Sequence, residues 1–222
     1  MSQARMKVAV LVSGSGSNLQ VLIDRVKSGD LEIDLVGVIS NREDAYAITR
    51  AKEASIPVAV LSHVPNGKRM SISTFEKHAL EQIQQWSADL VVLAGFMRVL
   101  SARFIHSVPC PMINLHPSLL PNYKGLDTHQ RVLRSGDNRH GCSVHLVTAE
   151  LDAGQVLTQA WLSVRTGDSV EILAKRVQVL EHQLVPFTID LIIKGVISIQ
   201  DAKTANSSSM MPLPLKLWLD QP

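Results

Sequence analysis

The chain is predicted to be of the α/β class, a mostly parallel twisted sheet flanked by helices, and three observations carry that prediction. Short apolar, largely β-branched runs at Val8 to Val12, Leu35 to Ile39 and Asp89 to Ala94 have the character of parallel strands covered on both faces. Segments of helical period separate them, and a glycine-bearing turn, Ser13-Gly-Ser-Gly-Ser-Asn18, joins the first strand to the first helix. Two later strands, Gly141 to Val147 and Gln155 to Val164, are joined by a short loop, which predicts an antiparallel extension in the C-terminal half. The sum is a Rossmann-like sheet of about seven strands.

Composition narrows the function classes. With 222 residues, 45% of them hydrophobic, the chain can bury a substantial core, and it reads as a single domain, residues 1–222, with an ordered core over about 7–200 and a C-terminal tail over 201–222. A formal charge of +2 with no basic, aromatic-interleaved patch gives no sign of nucleic-acid binding, so an anionic ligand must be held by local groups. The two cysteines, Cys110 and Cys142, lack metal or disulfide spacing and fit a reduced, cytoplasmic protein. No apolar run approaches the roughly 20 residues that span a bilayer, and no signal peptide is expected.

The elements follow in order. After the glycine turn, Leu19, Leu22, Ile23 and Val26 form one helical face with Gly29 beyond its end. Such a turn offers free N–H groups and a helix dipole to a phosphate. A tight βα turn that binds nothing accounts for a lone G-x-G equally well. The third glycine of a dinucleotide fingerprint is replaced by Leu19, and no acidic residue follows strand two, although Arg42 keeps an NADP reading open. Asp44 to Ser55 is predicted as a helix capped by Asp44, Val58 to Leu61 as a strand, and His63 to Met70, with Pro65-Asn66-Gly67, as a mobile loop. Ser73-x-x-Glu76 reads as a capping box opening a helix whose Phe75, Ala79, Ile83 and Trp86 share a face. Strand four ends at Gly95. Strand order should reverse between strands one and four, placing Gly95, the glycine turn and Asn114/His116 around one crevice. A short helix capped by Asp127 or Thr128 comes later. Ser169 opens the longest helix, with Pro186 as its stop or kink, and Val196 to Ile199 reads as a short strand.

The chemistry is placed at Ile113-Asn-Leu-His-Pro-Ser-Leu-Leu-Pro121. Strand alternation projects Asn114 and His116 to one side, and Pro117 ends the strand so that both stand where it opens into a loop. A carboxamide and an imidazole aimed at one point can stabilise an oxyanion and move a proton. On those two residues alone, an Asn capping a turn beside a hydrogen-bonded His is the better reading. Ser143 and His145 share a face of a later strand, and Asp152 lies one loop beyond it, where a carboxylate near His116 would favour the protonated ring. Gln178 and Glu181, three apart on the long helix, could bind a sugar diol or simply face solvent.

Six motifs in this order resemble the phosphoribosylglycinamide formyltransferase family, the folate-dependent glycinamide ribonucleotide transformylases of purine synthesis. They are Ser13-Gly-Ser-Gly-Ser-Asn-Leu-Gln20, Ile39-Ser-Asn-Arg42, Val91-Val-Leu-Ala-Gly-Phe-Met-Arg98, Asn114-Leu-His-Pro-Ser-Leu-Leu-Pro121, Gly141-Cys-Ser-Val-His145 and Glu150-Leu-Asp-Ala-Gly154. The resemblance implies the formyltransferase fold and transfer of a formyl group from 10-formyltetrahydrofolate, as co-substrate, to the amine of glycinamide ribonucleotide. It implies no metal, no nucleic acid or membrane partner, and a monomer or homodimer. By the same resemblance Asn114, His116 and Asp152 are catalytic. Gly16, Ser17 and Asn18 hold the phosphate, with Gly95, Gln178 and Glu181 on the rest of the ribonucleotide. Leu93, Phe96, Met97, Arg98, Val99 and Leu100 enclose the folate, Ser143 and His145 support the catalytic groups, and Leu120–Pro121 is cis.

Departures from the family pattern are Lys124, Asp127 and Ile72, the last where an arginine often meets the folate's glutamate tail, with Lys68 or Arg69 as substitutes. Two related activities share the Asn, His and Asp chemistry. The methionyl-tRNA formyltransferase carries a C-terminal barrel, for which roughly 35 residues after the long helix leave no room. The formyltetrahydrofolate deformylase carries an N-terminal regulatory domain, whereas strand one here starts by Val8. From other classes, an NADP oxidoreductase is opposed by the missing third glycine and a non-catalytic nucleotide-binding module by the three catalytic-type residues.

Overall fold

A computed structural model describes residues 4–62, 70–199, 208–209 and 214–218. Its contacts divide the chain into two compact units, Met1–Ile113 and Asn114–Pro222. The expected loop from His63, with Lys68 and Arg69, and most of the C-terminal tail lie outside the described residues.

In the first unit the strands β1 (Met6–Val12), β2 (Ile33–Ser40), β3 (Val58–Val60) and β4 (Leu90–Leu93) lie in the order β4-β1-β2-β3. All three pairings are parallel. Val8 through Val12 are fully buried, the outcome expected of an uninterrupted apolar strand. Helices α1 (Ser17–Ser28) and α2 (Tyr46–Glu53) make the crossovers on one side of β1, and β4 adds to the other, so the order reverses between β1 and β4 as expected.

Local details differ from the sequence reading for identifiable reasons. Asp44 does not cap α2, whose N-cap Ala45 makes no side-chain hydrogen bond; its carboxylate instead accepts from Arg42 Nε and Nη2 at 2.9 and 2.6 Å. Helix α3 (Ile72–Gln85) begins before Ser73, because the Ser71 hydroxyl accepts from the Thr74 N–H at 3.1 Å. Glu76 is therefore released from the capping box and accepts from Ser101 N–H and Oγ–H at 2.6 and 2.7 Å. Ser101 in turn caps α4 (Ala102–Ser107), a helix too short to leave a periodic signature. Trp86, after α3, lies against Gly37 of β2: a Cβ there would come within 2.3 Å of the indole.

In the second unit the order is β10-β7-β6-β5, with β5 (Met112–His116) contributing its carboxyl half. β6 (Arg139–Leu146) and β7 (Val156–Ser163) are antiparallel, the expected extension, and β10 (Leu215–Trp218) joins β7 in parallel. The short strand expected near Val196 is β8 (Ile197–Ser198), antiparallel to β9 (Ser208–Ser209). Helix α5 (Thr128–Ser135) follows Asp127, which takes the left-handed region at φ 56° and makes no side-chain cap bond. Helix α6 (Val170–Ile193) starts at its Ser169 cap but runs through Pro186 instead of stopping there. Burial of Leu180, Leu184, Val185, Ile189 and Ile192 on both sides of that proline outweighs its local cost.

Candidate active site

In the second unit, β5 delivers Asn114 and His116 at its carboxyl end, β6 delivers Ser143 and His145, and the loop before β7 delivers Asp152. The three separate segments converge. His116 Nδ1 lies 3.4 Å from Asp152 Oδ2, and His145 Nε2 lies 3.6 Å from Asp152 Oδ1. The Asn114 amide Nδ2 lies 3.1 Å from His145 Nε2. His145 Nδ1–H donates to the Leu146 carbonyl at 2.8 Å, so in the neutral ring Nε2 is the acceptor and turns the Asn114 amino group toward itself. The second N–H of that amide is then left to serve a ligand oxygen.

Two backbone groups complete the cluster and were missed by sequence reasoning. His116 Nε2–H donates to the Tyr123 carbonyl at 3.0 Å, and the Gly125 N–H donates to Asp152 Oδ2 at 2.9 Å. Backbone groups carry no residue-type signature, so only the position of the turn could have pointed to them. A third omission, Gln159, had a signal: an amide inside an apolar strand must find partners. Its Nε2 donates to the Leu120 carbonyl at 2.8 Å and to Ser143 Oγ at 3.0 Å. Ser143 Oγ–H donates to the Ser118 carbonyl at 2.7 Å and accepts from the Leu120 N–H at 3.1 Å. Ser143 and Gln159 thus hold the turn beyond His116, in which Leu120–Pro121 is cis.

Burial pushes His116 below the ordinary histidine value; the Tyr123 carbonyl and the Asp152 charge act upward but do not prevail. The carboxylate does favour the protonated ring, as expected, but burial outweighs it. Burial would raise Asp152, but the neighbouring His145 imidazole, the Gly125 N–H and the nearby His116 outweigh it, and the group stays below the usual carboxylate range. A buried carboxylate can take a proton and pass it on, while an imidazole and a carboxamide beside it can stabilise an oxyanion.

Lys124 pairs with Glu150 at 3.2 Å, joining the turn after Pro121 to the loop that carries Asp152. On α6, Gln178 is exposed and Glu181 half-buried; the Glu181 charge, after burial, contributes to raising the thiol of buried Cys142.

In the first unit the glycine turn approaches α2 closely. Gly16 sits at φ 68°, where a Cβ would lie 2.6 Å from that of Ala47, so only glycine fits. Ser17 opens α1 and Asn18 is buried. Gly95, at φ 70°, turns the chain out of β4, and Met97 N–H donates to Ser13 Oγ at 2.7 Å. Leu93, Phe96 and Leu100 are buried, whereas Met97 and Val99 are exposed. Phe96 stacks on Phe75 with centroids 5.7 Å apart, and the Arg98 guanidinium lies 5.0 Å over the Phe75 ring. Arg42 pairs with Asp44 at the exposed surface. Among the described residues no group of three or more His, Cys, Asp or Glu is placed to hold a metal, and no helix is long and apolar enough to cross a membrane.

Comparison with known proteins places this arrangement. The formyl transferase family model matches residues 6–189. The phosphoribosylglycinamide formyltransferase of Haemophilus influenzae is 40% identical over 196 residues, spanning 88% of this chain and 91% of that protein. Its Escherichia coli counterpart is 41% identical over 190 residues, 86% and 88% of the two chains. The solved phosphoribosylglycinamide formyltransferase of Coxiella burnetii superposes with a TM-score of 0.80 at 42% identity, covering 87% of this chain and 90% of that one. The chain belongs to the phosphoribosylglycinamide formyltransferase family.

Proposed function

We propose that the chain transfers the formyl group of 10-formyltetrahydrofolate to the primary amine of glycinamide ribonucleotide, giving formylglycinamide ribonucleotide and tetrahydrofolate in purine synthesis. The whole chain works as one cytoplasmic formyltransferase domain, with the folate as co-substrate and no metal in the reaction. The observation that carries this reading is the convergence of Asn114, His116 and Asp152 through contacts of 3.1 to 3.6 Å centred on His145 and Asp152.

The amine nitrogen attacks the formyl carbon, and a C–N bond forms as the carbonyl electrons move onto oxygen. Asn114 donates its second N–H to that oxygen. The growing negative charge on that oxygen favours proton uptake by His116 from bulk water, and that proton returns to water as the oxyanion collapses. Asp152, ionised at neutral pH, accepts the proton of the attacking amine through water and returns it to the folate nitrogen as the old C–N bond breaks. Ser143 and His145 hold these groups in place. Gly16, Ser17 and Asn18 bind the phosphate, Gly95, Gln178 and Glu181 bind the remainder of the ribonucleotide, and the segment from Leu93 to Leu100 binds the folate.

The test mixes the purified full chain with 10-formyltetrahydrofolate and glycinamide ribonucleotide and follows the folate absorbance. Turnover requiring both substrates is expected. Folate release without the amine, or transfer only when tRNA is supplied, would refute the assignment.

A further inference from the structure

The glycine turn must turn its N–H groups outward and its carbonyls away if it is to hold an anion. Its three successive carbonyls are each occupied. Gly14 C=O accepts from Ala47 N–H at 3.1 Å, and Gly16 C=O accepts from Gln20 N–H at 2.9 Å. Between them, Ser15 C=O accepts from Arg50 Nε–H at 2.9 Å. Arg50 is itself anchored: its Nη1–H donates to Gln20 Oε1 at 2.8 Å, and its guanidinium lies 4.8 Å over the Tyr46 ring. One side chain on α2 thus grips both the turn and the first turn of α1. It withdraws a carbonyl dipole and brings a positive charge, and both effects favour an anion at the same N–H groups.

We propose that Arg50 is the positioning residue of the phosphate turn, setting the orientation of the Gly16, Ser17 and Asn18 N–H groups and so the discrimination in favour of a phosphorylated amine substrate. This rests on the reading that those three residues take the substrate's phosphate. Arg50 touches none of the reacting atoms, so its effect falls on KM and not on kcat.

The test compares wild type and Arg50→Met on glycinamide ribonucleotide and on glycinamide riboside, which keeps the amine and lacks the phosphate, at saturating 10-formyltetrahydrofolate. The wild type is expected to favour the ribonucleotide. In Arg50→Met the ratio of kcat/KM for ribonucleotide over riboside falls about tenfold, carried by KM for the ribonucleotide. An unchanged ratio overturns the role of Arg50, whatever the loss on either substrate, because a general loss of structure lowers both alike. A wild type that does not distinguish the two substrates overturns the phosphate reading itself, and Arg50's role with it, before any variant is made. If Arg50→Met does not fold, Arg50→Lys, which keeps the charge but not the two-pronged grip, takes its place with the same criterion.

Discussion

Asn114 and His145, 31 positions apart in sequence, meet at 3.1 Å between the amide Nδ2 and the imidazole Nε2. That contact decides which way a carboxamide faces, and hence whether it offers N–H or C=O to a reacting oxygen. Replacing His145 by Leu leaves Asn114 free to rotate. The expected result is a loss in kcat of about 10- to 100-fold with KM little changed, since orientation and not binding is removed. A His145→Leu enzyme with wild-type kcat would show that Asn114 is oriented by something else.

The fit of Trp86 on Gly37 predicts a coupling in the first unit. An added methyl at 37 would stand within 2.3 Å of the indole, so Gly37→Ala should destabilise by about 1–3 kcal/mol. In a Trp86→Ala background the same change should cost far less, because the clashing ring is gone. Urea denaturation of the four proteins measures this, and strictly additive effects would dismiss the contact.

Acid should unfold this chain by way of its buried histidines. Burial, then the charges of His129 and His116, push His140 down to about 3 from an ordinary 6.5. His140 Nε2 is 2.8 Å from His129 Nδ1, its Nδ1 is buried with no hydrogen-bond partner, and His129 is likewise lowered. The unfolded chain therefore takes up protons that the folded chain refuses. Stability is fully present above pH 6.5 and declines as pH falls from there toward 3, by about 1.4 kcal/mol per pH unit for His140, with His129 acting in the same direction. Urea midpoints measured from pH 7 to 4 should show this decline, and His140→Gln should flatten it by nearly one proton. Parallel curves for the two proteins would count against the assignment.

Much of the fold was legible because burial imposes a pattern. Val8 to Val12 and Leu90 to Leu93 could only be covered strands, and the alternation of Asn114 and His116 followed from strand geometry. The capping errors had a common cause. Ser71 and Ser73 both offer a hydroxyl near one helix start, and Asp44 had a competitor in Arg42, choices that depend on fractions of an ångström. Pro186 reads as a stop or a kink because its local cost is visible in sequence while the compensating packing of α6 is not. At the site, side chains could be named beforehand, but the Tyr123 carbonyl and Gly125 N–H that hold His116 and Asp152 could not.

Formyl transfer as proposed requires Asp152 to carry the proton between the two nitrogens. Asp152→Asn keeps the shape and an oxygen for the Gly125 N–H while removing the basic carboxylate. Steady-state kinetics with 10-formyltetrahydrofolate and glycinamide ribonucleotide should show kcat lowered by about 10²- to 10⁴-fold, with both KM values within a few-fold of wild type. A correctly folded Asp152→Asn enzyme turning over at the wild-type rate would contradict it.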